Sequence, residues 1–143
     1  MTQPTNPNYG AFITRISLGG TLLAHDLLKV LVFTIPGTVG YFASLGLPAT
    51  AAYLTILAEI AGGTAILLGL YTRLAALLSI PVLLGALWVH AGNNWVFSAE
   101  GGGWEFPLLL VLLAVAVALQ GNGPFALRKL PVTDGYIPQN LKA

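Results

Sequence analysis

Four apolar runs of helical length take up most of this 143-residue chain, and they narrow its fold more than any motif does. A helix of about 20 apolar residues is long enough to cross the hydrocarbon core of a bilayer. Only 8% of the residues are charged and the mean hydropathy is +0.81, against about 25% charged in an ordinary soluble domain. The chain is therefore expected to be a single all-α membrane domain, with the lipid bilayer as its first partner. A net charge of +1 and the lack of any basic cluster or stripe exclude a nucleic-acid surface. With no cysteine, thiolate nucleophiles, disulfide exchange, iron–sulfur ligation and cysteine-bound zinc are excluded too. Any redox role must use a bound cofactor.

The boundaries follow from breakers and charges. Residues 1–10 carry prolines and polar groups and are expected to form a mobile tail. They lack the basic region and cleavage pattern of a signal peptide, so the first helix is expected to insert uncleaved. The spans are placed at about 11–33, 49–70, 74–90 and 104–120. Between the first two, TIPGTVGYFASLGLP (Thr34–Pro48) is uncharged but interrupted by Pro36, Gly37, Gly40, Gly46 and Pro48. So many breakers argue against a spanning helix, which leaves a short interfacial or re-entrant element or a packed hydrophobic loop. A tight turn at Tyr71–Arg73 makes spans two and three antiparallel neighbours, and Pro81 predicts a kink in the third. A glycine-rich loop precedes the fourth span, and residues 122–143 form a C-terminal tail outside the membrane. The domain proper is residues 11–121.

Lys and Arg give the orientation. Arg15, Arg73, Arg128, Lys129 and Lys142 fall on one side, whereas the two opposite loops have neither residue. The fold expected is an antiparallel four-helix transmembrane bundle with both termini cytoplasmic. Arg15 and Arg73 serve in it as positive-inside anchors, and Trp88, Trp95 and Trp104 mark the opposite aromatic border.

The most informative stretch is LAEIAGGTAILLGLYTR (Leu57–Arg73). At 100° per residue Glu59, Gly62, Gly63, Ile66, Gly69, Leu70 and Arg73 share one helical face. Small residues there let helix backbones approach closely, and a carboxylate inside the membrane needs partners. Counting about 1.5 Å per residue from the outer border puts Glu59 and His25 at similar depth, roughly 12 to 13 Å in. His90 ends span three and Glu105 begins span four on the same side. Four titratable groups, one per helix, thus converge on the outer half of the bundle.

In span one, Asp26 and Lys29 are spaced to form a local ion pair with Lys29 reaching outward, while His25 and Lys29 share a face. His25 and Glu59 make either a functional pocket or a structural interhelical hydrogen bond. His90 and Glu105 have the plainer alternative of helix ends near water, where a first-turn carboxylate is favoured by the dipole. Two histidines on facing helices could ligate a haem, but they differ in depth and no attachment motif is present. A di-iron site would need paired Glu-x-x-His motifs, which are absent. No metal site is expected.

The motifs LLAHDLLKV, LAEIAGGTAILLGLYTRLAA, His90, GGGWEFPLLL and GNGPFALRKL occur in the order seen in the DoxX family of small four-helix membrane proteins, which this chain resembles over residues 13–130. Asp26 departs from the family pattern, in which glycine is expected after the histidine. The resemblance implies a bacterial or archaeal cytoplasmic membrane and a quinone-linked oxidoreductase subunit as one function. Carried over position by position, it points to His25, Lys29, Glu59, Arg73, His90 and Glu105. His25 and Glu59 would relay protons or orient a headgroup, and His25, Lys29, Glu59, His90 and Glu105 would contact the quinone. The alternative is a non-enzymatic anchor or assembly module for a protein partner or a second copy, with the polar cluster fixing bundle geometry. A transporter ranks last, because no inverted repeat is detectable.

Overall fold

The computed structural model describes residues 8–128 and 133–142; most of the expected N-terminal tail, Lys129 and part of the C-terminal tail lie outside them. The order is α1 (Tyr9–Leu27), a π-helical turn (Leu28–Val32), α2 (Ile35–Ser44), α3 (Ala49–Leu68), α4 (Thr72–His90), α5 (Glu105–Gln120), a 3₁₀ turn (Asp134–Tyr136) and α6 (Gln139–Lys142). All four expected spans appear as helices, and no named strand occurs among the described residues. Two helices, α3 and α4, are long and apolar enough to cross a membrane alone, and the bent α1–α2 unit would make a third. The fourth, α5, is apolar but only 16 residues long.

Local chemistry sets most of the ends. Asn8 caps α1, its side chain accepting from Ala11 N at 3.0 Å, so the helix starts two residues earlier than composition suggested. Thr34 stops the π turn at φ 64° and caps α2 with its hydroxyl on Gly37 N, while Pro36 occupies the first turn. The chain bends there by 101°. The segment left open between an interfacial element and a packed loop is thus a ten-residue helix lying across the others. Gly69, at φ 72°, ends α3 in a Schellman motif: Leu70 N donates to Ala65 O and Gly69 N to Ile66 O.

The helices touch through glycine. A side chain at Gly19 would meet Leu67 N at 2.6 Å and Gly63 O at 2.9 Å, and one at Gly63 would meet Leu22 and Leu23 of α1 at about 3.1 Å. Backbone therefore lies against backbone where α1 crosses α3. Gly62 turns to α4 and would meet Ser79 Oγ at 3.0 Å. The contacts Arg15 to Leu67, Gly19 to Gly63 and Lys29 to Glu59 run in opposite chain directions, so α1 and α3 are antiparallel. Leu18, Leu22, Ile66, Ala76, Leu83, Ala114 and Val117 form the centre of the core. Outside it, Ile13, Leu31, Leu54, Leu78, Leu109 and Leu119 are exposed, an apolar girdle suited to lipid rather than water.

Arg15 corrects one expectation. It is not a lipid-border anchor but is 1% exposed. Its guanidinium donates to five carbonyls: Ile66 and Leu67 at the end of α3, and Asn122, Pro124 and Phe125 in the segment after α5. A helix C-terminus leaves carbonyls unpaired, and a five-donor planar group can satisfy several at once. That segment is therefore held against the helices, with Leu127 N and Arg128 N donating to Leu68 O and Gly69 O.

Candidate functional site

At the end of the helices opposite Arg15, α1, α3, α4, α5 and the 91–104 loop enclose a cavity of about 470 Å³. It is lined by His25, Lys29, Glu59 and His90, with Thr21 the other side-chain polar group and with apolar walls that include Leu22, Leu83, Phe106 and Leu110. Four of the five residues expected to contact a ligand thus share one space. An apolar cleft of ~300–1,000 Å³ with a few converging polar groups is the usual form of a small-molecule site.

Lys29 stands in the π turn, where the helix widens and Phe33 N donates five residues back to Leu28 O. Such turns recur at functional sites. Its ammonium pairs with the Glu59 carboxylate, and its carbonyl accepts from Thr38 Oγ1 of α2 at 3.1 Å. Two expectations change here. Lys29 pairs with Glu59 rather than Asp26, and it turns into the structure instead of snorkelling. The partner of Glu59 is Lys29, not His25. Asp26 is fully buried beside both groups, and the Lys29 ammonium reaches across to the carboxylate of α3.

Asp26 nevertheless belongs to the electrostatics of the site. It lies beside Glu59 and Lys29, and neither of its carboxylate oxygens accepts a hydrogen bond. Two carboxyls thus stand beside one ammonium. The sequence reading assigned Asp26 to a local ion pair with Lys29. Its placement where a glycine is usual was the available signal.

The two histidines are held alike. Nδ1 of His25 lies 3.1 Å from Thr21 O, and Nδ1 of His90 lies 2.8 Å from Ala86 O. A carbonyl only accepts, so each Nδ1 carries the proton and donates, which leaves Nε2 of the neutral ring as the basic atom. The His25 ring stacks on Phe106 with centroids 5.2 Å apart. The His90 ring is backed by Gly102, where an added Cβ would lie 3.2 Å from Nε2 and where φ is 80°. A backbone hydrogen bond that fixes one ring nitrogen also typifies metal-bound histidine, yet no group of three or more metal-capable side chains occurs among the described residues.

Glu105 stands apart from the cavity. Its carboxylate accepts from Phe97 N at 2.7 Å, and its own N–H donates to Trp95 O at 3.1 Å. Trp95 and Trp104 pack edge to face at 4.3 Å. Glu105 thus closes the loop over the cavity while its neighbours Phe106 and Pro107 line it. Arg73 lies at the far end, donating to Leu119 O at 3.4 Å.

Residues 10–92 match the DoxX family. A Bacillus subtilis (strain 168) protein named "Putative oxidoreductase CatD" is 32% identical over 118 residues, covering 82% of this chain and 84% of that protein. No solved structure matches. The chain belongs to the DoxX family.

Proposed function

We propose that this DoxX-family membrane protein is the quinone-associated subunit of an oxidoreductase. In this reading it is a four-helix antiparallel bundle in the cytoplasmic membrane with both termini cytoplasmic, and the quinone headgroup occupies the cavity at His25, Lys29, Glu59 and His90. The carrying observation is that this apolar cavity is lined by two histidines whose Nδ1 atoms are both committed to backbone carbonyls. The oxidoreductase named among its relatives supports the reaction class.

A quinone takes up two electrons and two protons on reduction. The chain has no cysteine and so brings no thiol or cluster of its own, and electrons must come from a partner. Its side chains manage protons. Nε2 of His25 or His90 accepts a proton from a hydroxyl, or as imidazolium donates one to a carbonyl. Lys29 donates to an oxygen without leaving Glu59, having three N–H groups. Phe106 supplies an aromatic face beside His25.

The second reading, a non-enzymatic anchor, draws on one observation: Glu59 is already neutralised by Lys29 and needs no ligand. Titrating the purified protein in nanodiscs with a benzoquinone separates the two, with quenching of the three tryptophans as signal. Binding should weaken about tenfold in His25→Ala and in His90→Ala, the loss of one charge-assisted hydrogen bond. Unchanged affinity in both would leave the anchor.

A further inference from the structure

The cavity at His25 does not end at Lys29 and His90. These two side chains also line two further spaces: one of about 360 Å³ between α2, α3 and α4, and one of about 560 Å³ between the π turn and α2. The first shares Lys29, Glu59, Ala86 and His90 with the headgroup cavity. Beyond that polar edge its wall is Phe42, Leu45, Leu47, Val82 and Val89. Tyr41 and Phe42 of α2 line both added spaces. One polar partition thus faces a headgroup-sized cavity on one side and an apolar chamber roofed by the bent helix α2 on the other.

We propose that the chamber under α2 seats the apolar tail of the ligand whose headgroup lies at His25. This rests on the headgroup reading above and extends it. The occupant follows from adjacency: the headgroup cavity and the chamber share Lys29, Glu59, Ala86 and His90, and the rest of the chamber wall is mostly apolar. The break at Phe33 and Thr34 leaves the π turn and α2 joined at a bend of 101°. The 560 Å³ space lies between the two arms of that bend.

Gly85 provides the test. It lines the 360 Å³ chamber, and a Cβ added there meets nothing within 4 Å. Gly85→Phe should therefore fill the chamber without a backbone clash, and Gly85→Leu is the smaller version should the first melt early. Gly20→Leu, also open but lining none of these cavities, controls for added bulk. Affinities are measured in nanodiscs for a tail-less dimethoxybenzoquinone and for the same headgroup carrying two isoprenoid units.

The wild type and Gly20→Leu should bind the tailed compound at least about tenfold more tightly than the tail-less one, and Gly85→Phe should remove that preference while leaving tail-less affinity unchanged. A wild type that binds both equally, or a tail preference that survives both Gly85 variants, overturns the inference and leaves the headgroup site standing. Binding of neither compound overturns the headgroup reading and the inference with it. A phospholipid that co-purifies with the wild type but not with Gly85→Phe, with quinone affinities unchanged, makes the chamber a lipid site and overturns the inference as well.

Discussion

Replacing Lys29 by Met tests the charge arrangement at its weakest point. The substitution keeps most of the side chain's length and apolar stem but removes the ammonium that pairs with Glu59. Glu59 is then left 8% exposed beside the fully buried Asp26, two carboxyls without a cation. Breaking a fully buried pair from one side costs on the order of 3–5 kcal/mol. The Lys29 side chain keeps 24% of its exposure, so the lower end applies, about 3 kcal/mol. At about 2–4 °C per kcal/mol for a chain of this size, the midpoint should fall by roughly 6–12 °C. Tryptophan fluorescence during heating in a mild detergent measures it. In Lys29→Met/Glu59→Gln the orphaned charge is gone, and at least half of the loss should return. A single variant that melts within about 2 °C of wild type, or a double variant no better than the single, would refute the view that this pair is the dry, mutually dependent one.

Other outcomes follow from the same geometry. Asp26→Asn removes the second carboxyl facing Lys29 and should melt at or above the wild-type temperature, whereas Glu59→Gln should melt below it. Arg15→Lys loses the planar fork and cannot satisfy five carbonyls; a fall of about 2–3 kcal/mol and faster proteolysis near residues 122–127 are expected, read by limited digestion and mass spectrometry. Gly19→Leu forces α1 away from Leu67 and Gly63 and should cost about 1–3 kcal/mol, against no measurable change for Gly20→Leu. Glu105→Ala should speed hydrogen exchange at Phe97 while quinone affinity changes less than in His25→Ala.

Much of this was readable from the residues alone. The span positions came from apolar length, and the breakers between Thr34 and Pro48 marked where the chain turns. The glycines of Leu57–Arg73 did signal close packing, although Gly62, Gly63 and Gly69 meet three different neighbours rather than one. Counting depth grouped His25, Glu59, His90 and Glu105; the first three line one cavity and Glu105 does not. What pattern could not supply was rotation about α1. Lys29 reaches across to Glu59 of α3, with Asp26 buried beside both. Arg15 was misjudged for a related reason: a charge near a helix end looks like a border anchor until the carbonyls of distant segments arrive around it.

The Arg15 clamp also sets an order of events during synthesis. Its partners at Ile66 and Leu67 follow it by 51 and 52 residues, and those at Asn122 to Phe125 by 107 to 110. At a ribosomal rate of about 5–20 residues per second, the guanidinium waits roughly 5–20 s for its last carbonyl. For that interval it must stay hydrated. The first helix is thus prevented from sinking fully until the segment after α5 has been made, and burial of one arginine reports that α3, α4 and α5 are all in place.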